Sequence, residues 1–170
     1  MGIGAQLVTI VVDVANVMGS RPDGWWRDRA GAAVRLHAEI ARLAASGRAI
    51  LRDGPGEAGE PGEPGENEAE QATVPGFVMV LEGAAKAAAA RLASAEPDAQ
   101  AEPDALQPVR PGEVRVVQAA GSGDDAIVAA VRQLSGRRVV VTADRELRER
   151  CVAAGAEIRV PGWLLGLLPG

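Results

Sequence analysis

The stretch Leu7–Asn16, which reads LVTIVVDVAN, joins an aliphatic and β-branched run directly to an aspartate and an asparagine. The run Leu7–Val12 does not alternate between polar and apolar residues, which is typical of a strand that is covered on both faces. Strands of this kind occur in parallel sheets that carry helices on both sides. The stretch therefore predicts an α/β fold in which Asp13 lies just beyond the carboxyl end of the first strand.

Four further runs of this type follow, and helical patterns lie between them. The predicted strands after the first are Phe77–Leu81, Val114–Val117, Arg138–Thr142 and Ile158–Val160. The predicted helices are Trp25–Ala45, Gly83–Ala95, Asp124–Leu134 and Arg145–Ala154, followed by a last apolar turn at Trp163–Leu168. Strands that alternate with helices form right-handed crossovers. We therefore predict a three-layer α/β sandwich around a central, mostly parallel sheet.

Two acidic segments interrupt this pattern. The segment Asp53–Glu70 contains seven acidic residues, Ala93–Pro108 contains four, and neither contains a basic residue. Segments with so much charge and so few large apolar residues cannot bury a core. We therefore predict a single domain over residues 1–170, with disordered acidic inserts at 53–72 and 95–111.

The net charge of −5 conceals the charge of the remaining chain. Outside the two acidic segments there are 18 basic and 12 acidic residues, and the resulting charge of +6 is compatible with a phosphate-bearing partner. One cysteine and one histidine argue against a Cys- or His-rich metal site and a Ser-His-Asp triad. No apolar run approaches the roughly 20 residues of a membrane span, and the N-terminus lacks the basic segment of a signal peptide. A cytoplasmic protein is expected, and the excess of Arg over Lys is typical of a GC-rich bacterial genome.

Acidic residues follow the ends of four predicted strands. Asp13, Glu82 and Asp144 come one or two residues after a strand, and Asp124 and Asp125 open the helix that follows the third strand. Because the carboxyl ends of parallel strands meet at one edge of a sheet, we expect these side chains to share a crevice. Carboxylates without His or Cys suit Mg²⁺ or Mn²⁺, and such ions assist the attack of water on phosphodiesters.

Each of these acids also has a purely structural interpretation. Asp124 and Asp144 occupy positions where Asp often forms a turn or caps a helix. Capping is less favoured for Asp13, because Val14-Ala15-Asn16 is a weak helix start, whereas Glu82 can simply be exposed. Like charges on one edge repel each other unless a cation binds between them or one is protonated. The combination therefore favours a cation site, with Asn16 as a neutral oxygen ligand beside it.

Basic and aromatic residues surround these acids in the sequence. Arg21 and Arg27 follow Asp13, and Arg145 follows Asp144; each is predicted to contact substrate phosphate, with a solvated helix face as the alternative. The adjacent Trp25 and Trp26 offer faces on which a base could stack. Packing of at least one of these indoles in the core is the favoured interpretation.

Several of these motifs resemble those of PIN-like/NYN nuclease domains, in particular the YacP-like branch. They are the Asp13-x-x-Asn16 run, GSGDDAIV at 121–128 and VVVTADREL at 139–147, in this order. VMVLEG at 78–83 stands where YacP-like proteins carry an acid after the second strand. The resemblance spans the chain apart from the two inserts, and it departs from the family pattern at Glu82, where Asp is expected, and at Gly123, where Ala is commoner.

The resemblance implies a five-stranded parallel sheet of order 3-2-1-4-5 and a Mg²⁺- or Mn²⁺-dependent endoribonuclease, a hydrolase that cleaves RNA phosphodiester bonds. It implies a catalytic, metal-binding core formed by Asp13, Asp124 and Asp144. Glu82 and Asp125 are the implied auxiliary metal-binding acids, and Asn16 and Thr142 are the implied polar supports. The implied partner is RNA, structured or single-stranded, without a membrane; a homodimer stays open. Two alternatives also stay open: a nucleotide phosphohydrolase that releases pyrophosphate, and a non-catalytic RNA-binding module.

Overall fold

Five parallel strands form the centre of the molecule. The computed structural model describes residues 7–48, 50–52, 72–93 and 108–169. The strands are β1 (Val8–Asp13), β2 (Gly76–Leu81), β3 (Val114–Gln118), β4 (Arg137–Val141) and β5 (Glu157–Arg159). They lie in the order β3-β2-β1-β4-β5, and every neighbouring pair is parallel. The predicted α/β class and the strand order are confirmed, and the sheet is wholly parallel.

Helices cover both faces of this sheet and produce the expected three layers. They are α1 (Val14–Gly19), α2 (Arg29–Ala45), α3 (Ala87–Ala93), α4 (Gly123–Gln133), α5 (Arg145–Ala153) and α6 (Pro161–Leu167). The α1, α2 and α6 helices contribute to the core on one face, whereas α4 and α5 contribute to the core on the other. Within the described ranges, no helix is long and apolar enough to cross a membrane.

The central strand β1 shows why its sequence does not alternate. All six of its residues are buried. Ile10 and Val12 belong to the core on the α2 side, together with Leu36, whereas Val11 belongs to the opposite core, together with Ile127. Full burial of each such side chain contributes about 1.5–3 kcal/mol relative to exposure. A strand between two helical layers therefore needs apolar residues at odd and even positions alike.

Three local features differ from the expectations. A helix follows β1 at once, because Asp13 accepts a hydrogen bond from the backbone amide of Asn16 and thereby caps α1. The predicted helix Trp25–Ala45 begins only at Arg29, because Trp25–Arg27 forms a separate 3₁₀ turn. The first turn of the predicted helix at 83–95 is also 3₁₀, over residues 83–86, before α3 begins.

Most of the two predicted acidic inserts lies outside the described residues, but parts of their boundaries do not. Ala72 pairs with Arg52 in a short antiparallel pair formed by Leu51–Arg52 and Ala72–Thr73, so the first insert ends before residue 72. Val109 is only 1% exposed and belongs to the core beneath α4 and α5. The predicted limit of residue 111 for the second insert is therefore wrong, since this apolar side chain anchors the chain ahead of β3.

Candidate active site

The carboxyl edge of the sheet positions four of the predicted acids on adjoining elements. Asp13 ends β1, Glu82 follows β2, and Asp144 lies between β4 and α5. Because β2, β1 and β4 are neighbours, these three residues follow adjacent strands. Asp124 lies in the first turn of α4, after β3, and its charge acts on Asp13. The charges of Asp124 and Glu82 act on Asp13, and those of Asp144 and Glu82 act on Asp124, so the four acids form one electrostatic cluster along this edge.

Asp13 lies deepest in this cluster and is only 8% exposed. Its Oδ2 atom accepts a hydrogen bond of 2.9 Å from the Thr142 hydroxyl, and its Oδ1 atom accepts one of 3.3 Å from the Asn16 amide. Burial raises the pKa of Asp13 to about 6 against the effect of these two hydrogen bonds, and the charges of Asp124 and Glu82 raise it further. A carboxylate held in this way is stabilised by a nearby positive charge.

Thr142 and Asn16 connect the end of β1 to the loop that follows β4. The fully buried Thr142 hydroxyl, which donates to Asp13, also accepts a hydrogen bond of 3.1 Å from the Asp144 amide. The side-chain oxygen of Asn16 accepts a hydrogen bond of 2.8 Å from the Ala143 amide. Asn16 was expected as a neutral oxygen ligand, but here its oxygen is engaged by the backbone and positions the β4–α5 loop.

Glu82 is fixed by the N-terminus of α4. Its Oε2 atom accepts a hydrogen bond of 2.6 Å from the Gly123 amide, where the positive end of the helix dipole favours a carboxylate. A Cβ atom on Gly123 would lie 2.2 Å from the same oxygen, so the glycine permits this close approach. The glycine at position 123, where the family pattern has Ala, therefore makes room for the carboxylate of Glu82.

The capping interpretation holds for two of the acids and fails for Asp124. Asp13 caps α1, and Asp144 caps α5 by accepting a hydrogen bond of 2.9 Å from the Leu147 amide. For α4 the cap is Ser122, whose hydroxyl accepts from the Asp125 amide. Burial raises the pKa of Asp124, and the charges of Asp144 and Glu82 raise it further. No capping role explains where Asp124 lies.

Asp125, the neighbour of Asp124 in the sequence, pairs with Arg150. The two side chains form an exposed ion pair of 2.8 Å, and the hydrogen bond from Arg150 lowers the pKa of Asp125. The charge of Arg150 also partly offsets the effect of the acids on the pKa of Asp124. Among the described arginines, Arg150 is the one whose charge acts on both Asp124 and Asp125, in keeping with its place in the sequence after the last strand-end acid.

The three arginines predicted to bind phosphate have other partners. Arg21 forms an ion pair of 2.5 Å with Glu39. The guanidinium of Arg27 lies 5.9 Å from the centroid of the Trp26 ring. Arg145 is highly exposed and lies 3.6 Å from Glu149 on the same helix. Among the contacts described for these arginines, none is to the acidic cluster.

The positions of the carboxylates decide which of them could coordinate the expected Mg²⁺ or Mn²⁺ ion. In the part of the chain that the structure describes, no three His, Cys, Asp or Glu side chains converge closely enough to hold a metal. The chemistry of the cluster still matches Mg²⁺ or Mn²⁺, because these ions prefer oxygen ligands and commonly use one or two carboxylates together with water. The side-chain carboxylate of Asp124 and the Oδ2 atom of Asp144 have no hydrogen-bond partner among the described residues, so they could serve as ligands of the ion.

The chain is thus an α/β protein with a parallel sheet of order β3-β2-β1-β4-β5 and a row of acids along its carboxyl edge. Among solved structures, the crystal structure of a tryptophan-to-leucine mutant of Rae1 (YacP) from Bacillus subtilis is similar to this chain, with a TM-score of 0.51 and 12% sequence identity. The similarity covers 95% of this chain and 75% of that one, and it shows a YacP-like fold. Neither the models of protein families nor the curated protein sequences match this chain.

Proposed function

We propose that this protein is a divalent-metal-dependent ribonuclease that hydrolyses RNA phosphodiester bonds at the carboxyl edge of its sheet. The observation that carries the proposal is the placement of Asp13, Glu82, Asp124 and Asp144, from four separate strand ends, along one edge. Burial and mutual repulsion raise the pKa of two of them, Asp13 and Asp124, as expected for a site that binds positive charge. The YacP-like fold supports the proposal, because the sequence motifs resemble the YacP-like branch of NYN nucleases.

Asp124 and Asp144 are the residues that would hold Mg²⁺ or Mn²⁺, with water as the remaining ligands. When bound there, the ion would supply an activated water and would stabilise charge on the phosphodiester oxygens. Asp13, with both oxygens engaged in hydrogen bonds, adds negative charge beneath this position and would stabilise the ion without being its main ligand. Asp124 and Asp144 are assigned as ligands, and Asp13 as a supporting charge, because only the first two have carboxylate oxygens without a hydrogen bond from a described residue.

The other residues of the site position these acids and the substrate. Thr142 orients Asp13 and holds the amide of Asp144, and Asn16 holds the adjoining Ala143 amide. These hydrogen bonds fix the β4–α5 loop relative to the β1–α1 junction. Arg150 places positive charge at the rim, where a phosphate of the RNA can replace Asp125 as its partner. Because these hydrogen bonds hold the acids in place before the substrate binds, less reorganisation is required during the reaction.

Cleavage of a labelled RNA in the presence of Mg²⁺, Mn²⁺ or EDTA tests the proposal. We expect cleavage with a metal and none with EDTA, and Asp124→Asn and Asp144→Asn should each lower the rate by about 100-fold or more, since roughly 3 kcal/mol of transition-state stabilisation would be lost. Glu157→Gln is the matched control, because it removes a carboxylate that pairs with Arg137 at the amino end of the strands. RNA that stays intact with both metals would contradict the proposal, as would full activity of Asp124→Asn.

A non-catalytic RNA-binding module is the second candidate. The observation that favours it is the lack, among the described residues, of three side chains that could coordinate a metal together. It predicts RNA binding of equal affinity with Mg²⁺ and with EDTA, and no cleavage under either condition. Release of pyrophosphate from nucleoside triphosphates without RNA cleavage would instead support a nucleotide phosphohydrolase.

A further inference from the structure

The segment between α1 and α2 exposes an indole ring beside two guanidinium groups. Trp26 exposes 56% of its surface, whereas the half-buried Trp25 packs against the core and meets Trp26 edge to face, with ring centroids 6.3 Å apart. The guanidinium of Arg27 lies 5.9 Å from the Trp26 centroid, and that of Arg29 lies 5.4 Å from the Trp25 centroid. An indole this exposed beside two guanidinium groups brings accessible aromatic surface and positive charge together.

The backbone of this segment is held in one shape. Gly24 has a φ of 75°, a left-handed conformation that favours glycine. The backbone amide of Trp25 donates to Asp23, and Asp28 caps α2 by accepting from the Gly31 amide. Both acids of the segment are therefore engaged by backbone amides, and the indoles are presented without a further loss of backbone entropy on binding.

The segment that carries the indoles lies at the carboxyl edge of the sheet, as the acidic cluster does. The end of α2 is at the amino edge, because the Ala44 carbonyl oxygen lies 3.4 Å from the position that a Cβ on Gly112, just ahead of β3, would take. A helix of 17 residues extends about 25 Å, whereas a six-residue strand extends about 20 Å. The start of α2, and the indoles that precede it, therefore lie at the carboxyl edge.

The distance from the indoles to the acids is short. The α1 helix begins immediately after Asp13 and has six residues, so it extends about 9 Å. At its far end, a Cβ on Gly19 would lie 3.7 Å from the Trp25 ring. A few nucleotides of single-stranded RNA can therefore reach from the indoles to the acidic cluster.

We propose that Trp25–Arg29 is a stacking platform that binds a base of single-stranded RNA beside the acidic site. This inference rests on the proposed function, since it assigns the form of RNA that the site accepts. Trp26 would contact the base, and Arg27 and Arg29, neither of which forms an ion pair with a described carboxylate, would contact the neighbouring phosphates. Single strands are favoured, because the faces of bases in a duplex are already stacked and cannot reach an indole.

Binding of a fluorescein-labelled 12-nucleotide oligouridylate, measured by anisotropy in EDTA so that no cleavage occurs, tests the platform. Trp26→Leu keeps an apolar side chain but removes the aromatic face, and we expect it to raise the Kd at least about fivefold. Trp26→Phe keeps an aromatic face and should stay within about threefold of the wild type. Because the side chain is largely exposed, both variants should retain the wild-type Tm. A duplex RNA of the same length should show no difference among the three proteins.

The outcomes separate this inference from the proposed function. Binding of the oligouridylate that depends on Trp26, in a protein that cleaves no RNA with any metal, would support the platform and contradict the nuclease. Metal-dependent cleavage with the same Kd and KM in Trp26→Leu and the wild type would contradict the platform alone. A Trp26→Leu variant that keeps its RNA affinity but changes its sedimentation coefficient would identify a protein interface, which also overturns the platform. No binding of the oligouridylate by the wild type would overturn the platform, whereas the nuclease is decided separately by cleavage in the presence of metal.

Discussion

Asp13 places a carboxylate at the end of a fully buried strand, where its ionised form is unfavourable. Burial raises its pKa to about 6 in the folded protein, against an ordinary value of 3.8. Between these two pH values the folded protein binds more protons at this position than the unfolded chain does. The free energy of unfolding that depends on Asp13 therefore falls as the pH rises from about 4 to about 6, and the loss is complete above that range.

Asp13→Asn should remove this dependence, since Asn caps a helix as well as Asp and carries no charge. At pH 8 in EDTA we expect the variant to be more stable than the wild type by up to about 3 kcal/mol, the equivalent of the shift in pKa. At pH 4 the two proteins should have nearly the same stability. Urea unfolding at both pH values measures the difference, and an equal difference at both would contradict the assignment of the cost to the buried charge.

Asp125→Asn provides a control of the opposite sign. The hydrogen bond from Arg150 lowers the pKa of Asp125, so this acid stabilises the folded state at neutral pH, and that contribution is lost as the pH falls below the ordinary range for Asp. The variant should therefore show no gain in stability at pH 8. Because the pair is exposed to solvent, the effect should be small and should weaken with added salt.

The junction between β2 and α4 includes a close contact between two residues that are far apart in the chain. The Gly123 amide donates to Glu82, and no room remains for a Cβ at position 123 while the carboxylate keeps its place. Glycine is otherwise unfavourable within a helix, by up to about 1 kcal/mol relative to Ala. The close approach of Glu82 therefore explains the glycine at this first position of α4.

This explanation predicts that the effect of Gly123→Ala reverses with the residue at position 82. In the wild type the new methyl group should displace Glu82 and cost about 1 kcal/mol, because a charge-assisted hydrogen bond outweighs the gain in helix propensity. In a Glu82→Ala background the same substitution should stabilise the protein by up to about 1 kcal/mol. Urea unfolding of the four proteins gives the coupling energy, and additive effects would show that the two residues act independently.

The net charge of the chain depends strongly on one acidic segment of the sequence, residues 53–71. The short pair Leu51–Arg52 and Ala72–Thr73 brings together the two ends of the segment at 53–71, which contains seven acidic residues and no basic one. Its removal changes the formal charge from −5 to +2. The paired ends allow the segment to be replaced by an Asn-Gly turn that closes a two-residue hairpin.

We expect the variant with this turn to fold and to bind single-stranded RNA more tightly than the wild type at low salt. The reason is that seven negative charges no longer repel the phosphates at long range. The difference in Kd should shrink as the salt concentration rises toward 0.5 M, where the Debye length becomes a few ångströms. Loss of cooperative unfolding would show that the segment is required for folding, and an affinity difference independent of salt would contradict the electrostatic explanation.

Much of the architecture was predictable from local patterns. Unbroken runs such as Leu7–Val12 identify strands buried on both faces, and all five predicted strands agree with the structure to within one residue at each end. The α1 helix was missed, because Val14-Ala15-Asn16 has weak helix propensity and the helix depends on its cap at Asp13 and on packing against α2 and α6. Val109 was assigned to an insert for a similar reason, since a single apolar residue among prolines has no periodicity that reveals its burial.

The sequence by itself determined three things: the acids at the strand ends, the order of the motifs and the parallel sheet. These can be derived from the order of residues along the chain, because strand periodicity is a local property and the polarity of a parallel sheet is a topological one. The same properties do not say which oxygen of each acid is free. Thr142 engages Asp13 across 129 positions, Gly123 engages Glu82 across 41, and Asp125 turns to Arg150. Hydrogen bonds of this range form only after the sheet has brought the strand ends together, so their geometry is a property of the packed structure.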